Sequence, residues 1–537
     1  MAQPRGQGHV PEDPRRPGPP GRLAHARGRG AAHDQREPRA LRDHRPRSPR
    51  EGPGRRRRGL RPRHDRGLAA GAASARGAPG RDRARVRQRD RGGARRSSAR
   101  RRARRPCAAH VSRTFDRRAT ASWALYDFAN SAFTTLVVTF VYAAYFTQRM
   151  AADEIEGTAL WSRGVTVTAV LVAVASPFLG ALADRGGLRK RLLLATTVVC
   201  VGGTVALYFP EPGGQDALLA IVLFVIANVA FELGGVFYNA FLPDVAPPDM
   251  LGRVSGWGWA LGYVGGLLCM VVAFAGFVFP EPPWFGLSTE AGQNIRATNL
   301  LVAVWFAVFC LPMFLFVKEA RSSEPAKDIL RATGRQLAGT FRSLKDFRQI
   351  GRLLLARLIY NDGLVTVFAF GGVYAAGTFR FTFEEILVFG IVLNVTAGAG
   401  AFAMGFLDDK LGGKKTLLIT LVGLGAGTLL GAVAPTPELF WVAGITIGIF
   451  AGPNQAASRS LLARFVPPDK ETEFFGFFAF SGKATAFIGP LFFGLLTEAF
   501  ETQRAGLAFV LLSFVIGGLL LMRVDEAEGV RAREPVA

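Results

Sequence analysis

Past residue 118 the chain contains no histidine: all six, His9, His25, His33, His44, His64 and His110, precede it. The rest of the chain therefore has no histidine for proton relay, metal ligation or a catalytic triad. Cysteine is nearly as scarce. Cys107, Cys200, Cys269 and Cys310 are far apart. The last three fall in apolar stretches and read as small buried hydrophobes rather than a disulfide or zinc framework. No nucleophile–base or metal constellation is discernible, so no enzyme, metal site or cofactor is expected.

Lysine is missing from residues 1–118, yet that segment holds 36 arginines against 10 acids. The whole chain carries a net charge of +25, so the remainder, with 30 basic and 31 acidic residues, is electroneutral. The leader, residues 1–112, is Arg, Gly, Pro and Ala with almost nothing to bury, and is expected to be a disordered extension. It has no apolar core of a signal peptide. Three readings compete: a polybasic tail for RNA or a membrane surface, a targeting extension, or a stretch that is not naturally made. We prefer the third. Lysine-poor Arg/Ala/Gly/Pro is what GC-rich DNA yields in a noncoding frame, and no methionine occurs between Met1 and Met150. Translation is then expected to begin near Val111.

The whole chain has a mean hydropathy of +0.21, and past residue 118 its apolar residues come in long runs. Apolar segments near 121–147, 161–183, 191–209, 217–240, 254–279, 298–317, 353–376, 385–407, 416–434, 437–458, 474–497 and 505–522 are each long enough to cross a bilayer as a helix. The fold class expected is an all-α membrane protein of twelve transmembrane helices. An even number puts both termini on one side. With the termini inside, inner loops and the C-terminal tail carry 23 of the 30 Lys and Arg. The outer loops carry only Arg149, Arg163, Arg296, Arg380 and Arg504, so the termini are expected to be cytoplasmic. The chain then divides into a six-helix half at 113–317, a cytoplasmic linker at 318–352, a second half at 353–524 and a tail at 525–537. Within the linker, 334–350 reads equally as an amphipathic surface helix or a solvated connection.

The halves repeat. Gly180-Ala-Leu-Ala-Asp184-Arg185-Gly-Gly187-Leu-Arg189-Lys190 follows the second segment, and Gly405-Phe-Leu-Asp-Asp409-Lys410-Leu-Gly412-Gly-Lys414-Lys415 follows the eighth, at an offset of 225 without a gap. Pro247-Pro248-Asp249 with Gly256 and Pro467-Pro468-Asp469 with Gly476 align at an offset of 220. Glycine at a helix end admits close helix approach. The aspartate can cap a following helix or pair with a cation, and the basic cluster holds the loop at the lipid surface. Parallel six-helix repeats organise many secondary transporters.

The loop element resembles the loop motif of the major facilitator superfamily. Further segments narrow the likeness: Trp123-Ala-Leu-Tyr126-Asp127-Phe-Ala-Asn130-Ser131, Phe237-Tyr238-Asn239-Ala-Phe-Leu-Pro243-Asp244, Gly256-Trp-Gly-Trp-Ala-Leu-Gly262-Tyr263, Tyr360-Asn361-Asp362-Gly363 and Gln455-Ala-Ala-Ser458-Arg459-Ser460. Together, over about 113–525, they resemble the vacuole-effluxer-like branch, with its autophagy-related amino-acid effluxers and bacterial permeases. The resemblance implies the major facilitator fold and export of amino acids or similar small solutes; the leader has no counterpart in it.

Charges inside spans are costly, about 2.5–3.5 kcal/mol each on the insertion scale, so each is a functional candidate. Asp127, Asn130 and Thr134 share a face of the first helix; Asn228, Glu232, Gly235 and Asn239 make a stripe on the fourth. Arg357, Asn361 and Asp362 cluster in the seventh, Asn454, Gln455, Ser458 and Arg459 end the tenth, and Lys483 stands in the eleventh. Each has a structural alternative. Asp127 reads as a transport or gating group or as an interfacial cap. Glu232 and Asp362 read as substrate or proton groups, Glu232 also as a structural partner of Arg357 or Lys483. Arg357 binds a carboxylate or neutralises an acid, and Lys483 snorkels or pairs. Arg459 gates or anchors, and the asparagines are helix–helix glue or ligands.

The expectation is therefore alternating access by two halves, a monomer spanning a membrane (the cell, or inner, membrane where the source is bacterial), with the bilayer, a small solute and protons as its partners and no nucleic acid. Substrate and proton candidates are Asp127, Asn130, Glu232, Asn239, Arg357, Asn361, Asp362, Asn454, Gln455 and Lys483. Gating candidates are Gly180, Asp184, Arg185, Gly187, Arg189, Gly405, Asp409, Lys410, Gly412, Lys414 and Arg459. The alternatives are an exporter of a drug, sugar or lipid headgroup, and a membrane-anchored nucleic-acid-binding protein resting on the tail alone.

Overall fold

The computed structural model describes residues 115–319, 333, 334, 339 and 347–533. The leader expected over 1–112 and most of the linker lie outside the described residues. Among the described residues there is no strand. The helices are α1 (Arg117–Ala132), α2 (Glu154–Gly186), α3 (Arg189–Ala206), α4 (Ala217–Ala240), α5 (Leu251–Ala273), α6 (Gln293–Phe316), α7 (Arg348–Phe379), α8 (Phe383–Leu411), α9 (Gly413–Val433), α10 (Pro437–Phe465), α11 (Glu471–Lys483), α12 (Ile488–Ala499), α13 (Gln503–Met522) and α14 (Glu526–Ala532).

Local chemistry sets the helix ends. Asp116 caps α1 by accepting the Arg118 and Ala119 amides, Asp153 caps α2 through Glu156, and Thr382 with Glu385 forms a capping box on α8. Gly187 ends α2 in the left-handed region at φ 55°, and Gly412 ends α8 at φ 91°. These are the paired glycines of the loop repeat, and both conformations favour a residue without a Cβ. Beyond α1 the first span continues through π-helical turns at Phe133–Phe140 and Phe146–Met150. The eleventh is interrupted by turns at 484–487, which separate α11 from α12.

Among the described residues, ten segments are long and apolar enough to cross a membrane; one of them runs from Glu471 through the break to Ala499. Two more helices complete a bundle of twelve. At 18 residues α3 is about 27 Å long and begins Arg-Lys-Arg, whereas α10 spends apolar length on Asn454, Gln455, Ser458 and Arg459. Branched residues point outward from the bundle, Val174 on α2 and Val422 on α9 being 75% and 72% exposed, as a lipid-facing surface requires.

The helices form two halves, α1–α6 and α7–α13. In the first, α1 packs on α5 and α6, and α3 on α4; in the second, α7 packs on α13, and α10 on α8 and α9. The halves meet where α2 lies against α11, α5 against α8 and α10, and α4 against α11.

Candidate functional site

The loop repeats meet across the two halves. Gly180 on α2 lies so close to Thr472 on α11 that a Cβ would overlap the Thr472 carbonyl oxygen, and Gly476 bears the same relation to Ser176. The second copy repeats it: Gly256 on α5 lies against the Ala401 carbonyl, and Gly405 on α8 against Gly252. Each copy of the 225-residue repeat thus packs on the opposite copy of the 220-residue repeat.

The aspartates follow the same symmetry. The Asp184 carboxylate accepts the amides of Thr472 and Glu473 at 3.0 and 2.8 Å. Asp409 accepts those of Gly252 and Arg253 at 2.7 and 3.2 Å. Each therefore caps the first turn of a helix in the other half, not the helix that follows it in sequence. A negative charge there also meets the positive end of the helix dipole. Arg189 joins Asp184, Asp244 and Glu471 at 3.2, 3.2 and 2.6 Å. In the second copy Arg253 pairs with Asp409 at 2.7 Å, and Arg464 bridges Asp408 and Asp409, while Ser460 donates to Asp408.

Of the other loop candidates, Arg185 lies in the last turn of α2 and Lys410 is exposed near the end of α8. Lys414 is held by the C-terminal segment: Glu526 accepts the Gly413 and Lys414 amides at 2.9 and 3.1 Å, and Lys414 Nζ donates to the Met522 carbonyl.

One layer deeper, Arg459 of α10 reaches into the first half. It donates to Asp127 at 3.2 Å and Asn239 at 3.0 Å, and to the Ser255 hydroxyl and carbonyl at 2.9 and 2.7 Å. Its guanidinium lies 4.8 Å from the Trp123 ring centre, 5.7 Å from Tyr238 and 5.8 Å from Trp259. Gly258 makes the room, since a Cβ there would stand 2.8 Å from Asp127 and 3.0 Å from Arg459. Because α1 begins at Arg117, Asp127 sits about 15 Å along the helix. The interfacial-cap reading of this residue does not describe it.

Deeper again, Lys483 at the end of α11 pairs with Glu232 of α4 at 2.6 Å, their side chains 31% and 25% exposed. Beside them a Cβ on Gly235 would meet no atom within 4 Å, so this face of α4 borders open space. Arg357 donates to the Phe478 carbonyl and Ser481, with its guanidinium 3.6 Å from the Phe478 ring centre. Asn361 donates to the Gly482 carbonyl and accepts from Gln455 at 3.4 Å. Gln455, one turn before Arg459 on α10, thus reaches Asn361, which bonds the residue preceding Lys483.

Three candidates stand apart. Asp362 accepts the Gly489 amide at 3.1 Å and so caps α12 inside its own half. Fully buried Asn454 donates to Thr420 of α9 at 3.0 Å, the helix–helix contact that was its alternative reading. Asn130 is buried one turn beyond Asp127, with Ser131 donating to it at 3.4 Å.

Sequence reasoning missed Asp244, Arg253, Asp408, Arg464 and Glu471, all at helix ends where charge is ordinary. It quoted Trp123, Tyr238 and Trp259 in motifs but gave them no role. The common offset of the Pro-Pro-Asp repeat was a usable signal: it marks the two helix starts that Asp184 and Asp409 cap.

A two-half bundle with loop repeats crossed at one end is the architecture of a major facilitator superfamily transporter, and residues 60–270 match that superfamily. Residues 249–534, more than half the chain, match the family described as "Vacuole effluxer Atg22 like", and the chain belongs to it. It is similar to the uncharacterized MFS-type transporter YxiO of Bacillus subtilis, 26% identical, over 75% of this chain and 94% of that protein. Autophagy-related protein 22-1 of Penicillium rubens is 22% identical over 69% of this chain and 75% of its own length. Among solved structures, the proton:xylose symporter XylE superposes with a TM-score of 0.60 at 13% identity, over 77% of this chain and 96% of that one. FucP in its outward conformation superposes with a TM-score of 0.57 at 12% identity, over 76% and 98%. At these identities the likeness concerns the fold.

Proposed function

We propose that the chain moves small zwitterionic solutes, amino acids first among them, by alternating access between its two halves, with a proton exchanged in the cycle. The observation that carries this is the Glu232–Lys483 pair, an acid from one half and a base from the other, only partly covered and bordering open space. A zwitterion needs an anion for its amine and a cation for its carboxylate. Glu232 and Lys483 offer both, and a zwitterion inserted between them replaces one ion pair by two. Arg357, Asn361 and Gln455 supply donors beside them.

The repeat end, where the caps and glycine contacts lock the halves, is the cytoplasmic end by the distribution of Lys and Arg. The chain is then a multi-pass protein of the cell membrane with both termini inside, working as a monomer. Opening requires the Asp184, Asp409, Arg459 and Lys483 contacts to part together.

The test is uptake and counterflow in proteoliposomes across amino acids, sugars and organic drugs, with and without a pH gradient. Saturable amino-acid counterflow that falls more than tenfold in Glu232→Gln supports the reading. Transport of sugars or drugs alone, or an unchanged rate and pH dependence in Glu232→Gln, overturns it.

A further inference from the structure

The surroundings of Arg459 are a cation site built by one half and filled by the other. Every group that contacts its head in the first half suits a positive charge: the faces of Trp123, Tyr238 and Trp259, the Asp127 carboxylate, and the oxygens of Asn239 and Ser255. Three aromatic faces around one cation with a carboxylate beside them is the arrangement that recognises ammonium and guanidinium groups. All six residues belong to α1, α4 and α5, whereas Arg459 belongs to α10.

Among the described residues Arg459 is the one cation paired with Asp127. When the repeat end opens, Arg459 moves away with its half, and Asp127 is left facing an aromatic box without a counterion. An unpaired carboxylate in such surroundings is costly. Gly258 keeps the floor of the box clear, as any side chain there would fill the space the guanidinium takes. The indole N–H of Trp259 is buried without a hydrogen-bond partner, leaving a donor for an acceptor carried by the same ligand.

We infer that Arg459 is an internal stand-in for the cationic head of a solute, and that the first half binds an ammonium or guanidinium group in the Trp123–Tyr238–Trp259–Asp127 cage when Arg459 withdraws. This rests on the alternating-access reading above and adds a second, cation-selective station nearer the repeat end than the Glu232–Lys483 pair.

The experiment uses the full chain in phosphatidylglycerol nanodiscs and titrates guanidinium and tetramethylammonium, with urea as the neutral control, in Arg459→Ala. The expected result is saturable binding of both cations, at least tenfold tighter than in the unaltered chain. Adding Asp127→Asn or Trp123→Leu should lose it, and urea should not bind. No binding in Arg459→Ala, or binding that survives Asp127→Asn, overturns the cage. Should Arg459→Ala not yield folded protein, the chain with Arg459 intact answers: tetramethylammonium should raise the fraction of molecules with a widened repeat end, read by spin labels at Arg191→Cys and Lys415→Cys, and no change overturns the proposal. Repeating the titration with phosphatidylcholine separates the sources, because competition by that lipid makes the ligand a headgroup and overturns the solute assignment. No cation binding in Arg459→Ala while amino-acid counterflow persists in the unaltered chain refutes the cage alone. Binding retained without amino-acid counterflow refutes the transported substrate and leaves the cage.

Discussion

Asp184 and Asp409 stand 225 residues apart and make the same contact in opposite directions. Each closes the first turn of a helix in the other half, at Thr472 and Glu473 or at Gly252 and Arg253. One cap belongs to the α2–α11 seam and the other to the α5–α8 seam. The closed end is therefore held at two places by the same device.

The two caps should be separable. Asp184→Ala is expected to cost about 1 kcal/mol, the usual worth of a helix cap, and to speed hydrogen exchange roughly five- to tenfold over 471–478. Exchange over 251–258 should not change. Asp409→Ala should do the reverse, and the double variant should add the two effects. Exchange mass spectrometry on these two segments reads the result directly.

The glycine contacts make a steric prediction. Leucine at Gly180 or Gly256 cannot be accommodated while α2 lies on α11 or α5 on α8. Overpacking of this kind costs about 1–3 kcal/mol and should appear as a repeat end that no longer closes and as lost transport. A Cβ at Gly202 on α3 would meet no atom within 4 Å, so Gly202→Leu should transport normally. Counterflow assays on the three variants compare them.

The Glu232–Lys483 pair is partly exposed, so its contribution to stability is small, about 1 kcal/mol or less. Glu232→Gln and Lys483→Met should each leave the melting temperature nearly unchanged while lowering transport more than tenfold. The double variant should melt like the unaltered chain and remain inactive, the outcome expected of charges that serve the solute rather than the fold.

Outside the seam, Glu526 caps α9 from the C-terminal segment, where Gly412 has no side chain to do so. Glu526→Ala should cost about 1 kcal/mol and lower the melting temperature, with transport per folded molecule retained.

Most of the architecture is legible in the sequence, because apolar runs and two repeats survive there. The repeats even carried their own pairing, since the residues that Asp184 and Asp409 cap are related by the second offset. What was not legible was which partner each charge takes. Asp184 and Glu473 are 289 residues apart, and nothing local says that a loop aspartate caps a distant helix. Neighbours in sequence also part in space. Asn454 and Gln455 differ by about 100° around the helix, so one turns to Thr420 and the other to Asn361. Asp362 looked like a solute group because it is an acid in a span. The break before α12, which gives it an amide to cap, coincides with Gly489-Pro490, but proline also occurs inside an unbroken span, at Pro453 of α10.

Alternating access is tested most directly by distance. Spin labels at Arg191→Cys in the first half and Lys415→Cys in the second, with Cys107, Cys200, Cys269 and Cys310 replaced, report the separation at the repeat end in liposomes. A short-distance population alone, joined by a longer one that grows when a transported amino acid is added, is the predicted result. A single unchanging distance in protein that is transporting the solute would contradict the account.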